Sequence, residues 1–299
     1  MKTLPSLKQL EYLTALAETR HFARASDLCN VTPSTLSAGI KDLEDVLGID
    51  LAERTKRKVL MTPLGEEIAA RARLLLRDAE DIMELAASQR APMTGAMTLG
   101  VIPTIGPFLL PAVLPGLGEA YPDLRLYLIE DKTAPLLAKL RAGEIDLALI
   151  ALPFETEGMT TRVLFEDAFH FACHASHPLA GRHQITDSDT VDQSLLLLEE
   201  GHCLRGHALD ACHTRAAHIR VEFEATSLHN LVQMTAQNMG VTLLPQLAID
   251  AQVIGTSDIR LIPLASGETR KIGLVWRATS PRAHEFTLIA ERIIEQRLG

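Results

Sequence analysis

The stretch GHCLRGHALDACH, residues 201 to 213, holds two of the chain's four cysteines, nine residues apart, among three histidines. Thiols and imidazoles at this spacing support four kinds of site. As a redox pair, one thiolate attacks a peroxide to give a sulfenic acid, and the second thiol condenses with it to a disulfide. As a metal site, His202, Cys203, His207, Cys212 and His213 are the available donors, with Cys203 and His207 an i,i+4 pair, although tight zinc sites show closer C-x-x-C spacing. A Cys/His nucleophilic enzyme is the third reading, but no acyl-transfer signature accompanies the segment. The fourth is plain packing cysteine. Helix geometry constrains the first: nine residues of continuous helix span about 13.5 Å of axis and about 900° of rotation. A disulfide needs Cα atoms about 4.4–6.8 Å apart. A Cys203–Cys212 bond therefore requires the segment to refold, which makes covalent chemistry a conformational switch. Cys203 follows a turn near a helix start, where His202, Arg205 and the helix end are suited to stabilising a thiolate. On the residues alone the four readings stay open.

The segment needs a scaffold. Leu195 to Leu198 reads as a buried strand, Glu199 to His202 as a turn, and Leu204 to Ala217 as a helix or a loop leading into one. Earlier, AMTLGVI is a short buried strand followed by Thr104, and Gly106 to Ala120 is helical despite three prolines. LRLYLIE is a second strand, with Leu124, Leu126 and Leu128 alternating. Thr133 to Ala142 is a helix ended by Gly143, and Ile145 to Ile150 is a third strand. Strand, helix, strand, helix, strand predicts a parallel sheet, whose ligands sit beyond the carboxyl ends of the strands. Thr104 and Thr133 both lie at such ends. A second α/β stretch follows: a helix begins at Thr226-Ser227-Leu228-His229 and ends at Asn238-Met239-Gly240. VTLLP is one more strand, KIGLVW a late strand able to return to the first lobe, and Arg282 to Leu298 a closing helix. Cys173 and Cys29 read as packing thiols, and His170, His174 and His177 as surface histidines.

The head of the chain carries a different pattern. Residues 1–62 hold 9 Lys/Arg and 8 Asp/Glu, against 20 and 30 in the remainder. Basic residues bunch in Arg54-Thr55-Lys56-Arg57-Lys58. A near-neutral head with one basic cluster on an acidic body (net charge −9 overall) suits a DNA-binding head and excludes indiscriminate nucleic-acid binding. Leu7, Leu10, Leu13, Leu16 and Ala17 give a first amphipathic helix. Phe22 to Leu28 is a short helix with Phe22, Ala25 and Leu28 inward, and Cys29-Asn30-Val31 a tight connection. Thr32 caps a further helix with Pro33 at its first position. That helix buries Leu36, Ile40, Leu43 and Leu47. Thr32, Ser34, Thr35 and Ser37 offer small donors to a major groove, with Lys41 farther along the outer face. LAERTKRKVLMTPLG reads as a wing whose basic tip contacts phosphate. From Leu64 to Gln89, Ile68, Ala72, Leu75, Ala79, Ile82 and Ala86 form a heptad seam that wants a partner helix, and residues 91–95 read as a hinge.

This winged helix-turn-helix, with FARAS, VTPSTLS, IKDLED and the MTPLG that ends the wing, resembles that of LysR-type transcriptional regulators. One departure is Pro33-Ser34, where the family often carries a glutamine. The two α/β lobes resemble the periplasmic-binding-protein fold of the family's effector domain. GHCLRGHALDAC, with LGVIPTIGPFLLP, EDKTAPLLAKL, ATSLHNL and TLLP in order, resembles the peroxide-sensing members of that family. The resemblance implies an α/β chain with a DNA-binding domain at 1–62, a dimerising linker helix at 63–90, the hinge, and a two-lobed regulatory domain at 96–299. Lobe I takes about 96–163 and 269–299, and lobe II about 164–268. It implies Cys203 as the peroxidatic and Cys212 as the resolving cysteine, with Thr104, Thr133, His202 and Arg205 around the peroxide. It implies DNA contacts from Thr32, Pro33, Ser34, Thr35, Ser37, Lys41, Arg54, Lys56 and Arg57. The expected partners are promoter double-stranded DNA, hydrogen peroxide, RNA polymerase and further copies of the chain as a dimer of dimers, with no cofactor, no metal and no enzymatic turnover. The alternative is a regulator of the same family that senses a small metabolite between the lobes with inert thiols.

Length and composition agree with this reading. At 299 residues and 47% hydrophobic, the chain can bury real cores. Four cysteines make no disulfide framework. The opening MKTLPSLKQLEYLTALAE reads as a helix rather than a signal peptide, and no apolar run approaches the roughly 18 residues of a membrane span. The expected compartment is the cytoplasm.

Overall fold

The computed structural model describes residues 4–54, 59–88, 92–190, 193–211 and 224–298. Lys56, Arg57, Cys212 and His213 lie outside these residues, and the side chains of Arg54 and Ala86 are not described. The chain divides into two units, 1–90 and 91–299.

In the first unit, α1 (Leu7–Thr19), α2 (Phe22–Leu28) and α3 (Pro33–Leu47) precede β1 (Ala52–Arg54), β2 (Val59–Met61) and α4 (Pro63–Ser88). Ser6 and Gln9 close a reciprocal capping box at the start of α1. Leu10, Leu13 and Leu16 of α1 pack with Leu36, Ile40 and Leu43 of α3. Gly39 permits that approach, because a Cβ there would lie 2.5 Å from the Tyr12 ring. Leu28 departs from expectation: it is 58% exposed, and Ser26 and Cys29 take the inward positions. A two-turn helix offers only a narrow face, and α1 meets it along Ala25 and Cys29, whose Sγ lies 3.9 Å from the Glu11 carbonyl. Leu7 is likewise exposed. β1 and β2 form the antiparallel wing, Ala52 opposite Met61 and Arg54 opposite Val59.

The seam of α4 divides. Ala69 and Ala72 are buried in the first unit's own core, where small side chains let α4 lie close on α1. Leu75 and Ile82, farther along, are exposed, as is Met83. The proximal seam is therefore packing within the unit, and only the distal part is left without a cover.

In the second unit, β3 (Gly95–Val101), α5 (Gly106–Ala120), β4 (Leu124–Glu130), α6 (Thr133–Ala142) and β5 (Leu147–Leu152) form the expected alternation. β3 pairs in parallel with both β4 and β5. On β4, which has β3 as its one neighbour, Leu124 and Leu126 are half-buried but Leu128 is 45% exposed. Ile129, which points to the opposite face, is half-buried instead.

The long β6 (Met159–His174) links the lobes. Up to Ala168 it pairs with β11 (Thr269–Arg277), and from Phe169 onward with β9 (Thr242–Pro245) and β10 (Ile259–Pro263). The crossover thus falls at 168/169, somewhat later than the sequence placed it. β11 also pairs with β5, Lys271 opposite Leu152 and Trp276 opposite Leu147, so the late strand does return to the first lobe. The second lobe adds α7 (Asp187–Thr190), β7 (Leu197–Leu198), α8 (Cys203–Ala211), β8 (Glu224–Ala225), α9 (Leu228–Ala236) and α10 (Gln246–Asp250), and α11 (Ala283–Leu298) closes the chain. One apolar core runs through the unit.

Candidate redox site

Cys203 is the first residue of α8. Leu198 ends β7, which pairs in parallel with β8, and the turn 199–202 then delivers the chain to α8. At the centre of that turn Gly201 has φ +91°, a conformation that costs other residues strain. The Lys132 side chain lies over it, 3.0 Å from where a Cβ would stand. Lys132 Nζ donates to the Glu200 carbonyl at 2.9 Å and pairs with Glu199 at 2.7 Å, strapping the start of α6 to the turn. Leu204 and Ala208 anchor α8 in the core.

Side chains from two other segments act on the half-buried Cys203 thiol. Thr133, first residue of α6, is 1% exposed. Its hydroxyl faces the thiol without closing a full hydrogen bond and has no other partner among the described residues. Arg270, on β11, is fully buried, and its charge acts on the thiol. Its Nη1 donates to Thr104 Oγ1 and its Nη2 to the Thr104 carbonyl, both at 3.0 Å. Its Nε donates to Asp167 Oδ2 at 3.0 Å, with Nη2 2.9 Å from the same oxygen. Asp167 Oδ1 in turn accepts the Leu247 N–H at 2.8 Å.

The electrostatics correct one expectation. Burial pushes the Cys203 thiol above its ordinary value, so the resting sulfur is held protonated. Arg270 opposes that burial most strongly, followed by Thr133 and the N–H groups of Leu204 and Cys203 at the open end of α8. His202 supplies no charge: it is buried, and burial and the nearby Lys132 both lower its pKa, against a weaker pull upward from Glu199. Its Nε2 lies 3.7 Å from Glu199 Oε1. Arg205 points elsewhere, donating to the Leu198 carbonyl at 3.0 Å and to Glu224 at 2.8 Å, where it ties β7 to β8. The expected thiolate support from His202 and Arg205 is thus replaced by Arg270. Thr133 lies by Cys203, while Thr104 is held by Arg270. Among the described residues, no three His, Cys, Asp or Glu side chains converge as metal donors, His170, His174 and His177 included.

Arg270 and Asp167 were missed in the sequence. They are direct cross-strand partners on β11 and β6, 103 residues apart. A faint signal existed: Asp167 shares the parity of Phe169 and Phe171, which point inward on β6.

In the first unit, Thr32 caps α3 by accepting the Thr35 N–H, with Pro33 at the first turn. The hydroxyls of Thr32, Ser34 and Thr35 form a chain at 2.8 Å spacing, all exposed. Ser37 is half-buried and Lys41 exposed along the same helix.

Known proteins share both units. Residues 7–66 match the bacterial regulatory helix-turn-helix of the lysR family, and residues 90–296 match the LysR substrate binding domain. The hydrogen peroxide-inducible genes activator of Dickeya chrysanthemi is 41% identical over 290 residues, covering 97% of this chain and 95% of its own. The DNA-binding transcriptional dual regulator OxyR of Escherichia coli K12 is 41% identical over 288 residues, covering 96% and 94%. A solved full-length OxyR variant from Pseudomonas aeruginosa superposes with a TM-score of 0.81 at 38% identity, covering 97% of this chain and 95% of that one. With its helix-turn-helix, its two-lobed body and these relatives along nearly its whole length, the chain belongs to the LysR family of bacterial transcription regulators.

Proposed function

We propose that this protein is a DNA-binding transcription regulator switched by hydrogen peroxide through Cys203 and Cys212. The observation that carries the reading is the half-buried Cys203 thiol beside a Thr133 hydroxyl that closes no hydrogen bond among the described residues, with the Arg270 charge acting on the sulfur. Thr133 and Thr104 hold peroxide, and His202 closes the pocket from the turn. Cys203 gives up its proton and its sulfur attacks one peroxide oxygen. The O–O bond breaks, the departing hydroxide takes up a proton to become water, and Cys203 is left as the sulfenic acid. The Cys212 thiol then attacks that sulfur, forming the disulfide and releasing a second water. Arg270 is the fixed cation that stabilises the sulfur anion as it forms.

α8 is helical from Cys203 to Ala211. At about 1.5 Å of rise per residue, that helix sets Ala211 about 12 Å along the axis from Cys203, beyond the separation a disulfide from the next residue can bridge. Disulfide formation therefore unwinds α8, and unwinding changes oligomer geometry and promoter contacts. The exposed distal face of α4, with Leu75 and Ile82, supports pairing of two copies, and two such pairs make the tetramer. The outer face of α3 enters the major groove, with the wing residues Arg54, Lys56 and Arg57 on phosphate. RNA polymerase is the partner through which transcription changes, and the cytoplasm is the site of action. One peroxide is consumed per switching cycle, without turnover.

Non-reducing peptide mapping after mild peroxide treatment is expected to yield a Cys203–Cys212 disulfide. Footprints of the reduced and oxidised protein on one long promoter fragment are expected to differ. Cys203→Ser is expected to keep the reduced footprint under oxidant. A Cys203→Ser protein that still switches, or sustained peroxide turnover with a thiol reductant, would refute the reading.

A further inference from the structure

The Arg270 guanidinium is shared. One side is bound to Thr104 in the first lobe, the other to Asp167 on the strand that crosses between lobes. Asp167 is 0% exposed and has both oxygens engaged, one by Arg270 and one by the Leu247 N–H at the start of α10. A buried arginine needs a counter-charge, but this counter-charge stands one residue away from a reacting sulfur. Full compensation would waste the cation for the chemistry, whereas none would ionise the thiol in the resting state and destabilise the core.

We propose that Asp167 is a positioning residue for the oxidation of Cys203: its carboxylate fixes the Arg270 guanidinium beside the thiol and meters how much of that positive charge the sulfur feels. Cys203 is the group that reacts, and Arg270 is the cation whose charge acts on it. Asp167 acts only through Arg270. Among the described residues, the other charged or titratable groups include Lys132, Glu199 and His202 at the mouth, and His170, three residues after Asp167 on β6, which Asp250 also influences. Asp167 raises the pKa of His170 against the lowering effect of burial. Removing the carboxylate therefore lowers the His170 pKa further and keeps that ring neutral across the pH range in which the thiol titrates.

The test is Asp167→Asn in the full-length chain, which keeps the shape and removes the charge. Two readouts are needed. The first is the pH profile of Cys203 alkylation by iodoacetamide, followed by peptide mass spectrometry. Its midpoint is expected to fall by about one pH unit or more, as for a thiol beside an uncompensated cation. The second is the rate of sulfenic acid formation with hydrogen peroxide at neutral pH, expected to rise by about the same factor of ten. In Asp167→Asn/Arg270→Met the fall in midpoint is expected to vanish. A purely structural Asp167 would lower the melting temperature and leave the alkylation midpoint unmoved, and that result overturns the proposal, as does a shift that survives loss of Arg270. If Asp167→Asn does not fold, Arg270→Lys reads the pair from the other side. A lysine cannot span Asp167 and Thr104 together, so its charge stays on Asp167 and the midpoint is expected to rise; an unchanged midpoint overturns the proposal. The inference rests on the peroxide reading only in its second readout. A wild-type protein that alkylates as described but ignores peroxide would sink that reading and leave the charge coupling standing.

Discussion

At the scale of the residue, the site separates acidity from reactivity. A sensor thiol that was already ionised would react with many electrophiles, whereas burial keeps Cys203 protonated until an oxidant is held against it. The sign is that of a weak acid raised by desolvation: the anion grows in only as pH climbs past the ordinary thiol value of 9.0. Alkylation of the wild-type protein by iodoacetamide is accordingly expected to keep increasing above pH 9, with a plain cysteine peptide levelling off earlier. Thr133 tests the positioning of peroxide. Thr133→Val removes a hydroxyl without changing the outline of the side chain. Stopped-flow oxidation should slow by on the order of 10²-fold, the cost of deleting one donor at a developing charge. A change of less than twofold would remove Thr133 from the peroxide site.

At the scale of the element, α8 is the part that must come apart. It is held to the core by Leu204 and Ala208, 2% and 3% exposed, with a short apolar strand beneath. Leu204→Ala is expected to cost about 2–5 kcal/mol of packing in the helical form. The opened, disulfide-linked form does not use that packing, so the oxidised state should gain relative to the reduced one. Titration against a glutathione redox buffer reads this as a midpoint moved toward more reducing conditions; an unmoved midpoint would mean that Leu204 stays buried in both forms. Periodicity gave the right helices here but not always the right faces. Leu28 was misplaced because a two-turn helix meets neighbours on too little of its surface for sequence spacing to decide what is covered. The heptad seam of α4 is divided: Ala72 packs in the core of its own unit, while Leu75 and Ile82 are exposed.

At the scale of the whole molecule, each unit has its own core, and the proposed switch works through paired copies of the chain. Ile82→Glu places a charge on the exposed distal face of α4. Sedimentation should show a smaller assembly with the circular dichroism of the fold unchanged, and promoter affinity should fall because two half-sites are no longer held by one particle. Unaltered sedimentation would exclude that face from the interface.

The sequence by itself determined the local parts. Composition, capping residues and three- or four-residue spacing located the helix-turn-helix, the parallel strand–helix alternation and the turn that precedes Cys203, because those depend on neighbours a few residues apart. Helix geometry alone showed that Cys203 and Cys212 cannot bond without refolding. The peroxide-site roles of Thr104 and Thr133 entered through resemblance, with strand-end position as their only local support. The tertiary structure alone decided what surrounds the thiol. The nearest arginine in sequence, Arg205, turned out to serve β8, and the charge that acts on the sulfur comes from Arg270. That arginine and its partner Asp167 lie 103 positions apart and meet only because β6 and β11 pair in one register. No local pattern encodes such a pairing, and a buried charge has no meaning until the strands that bury it are assembled.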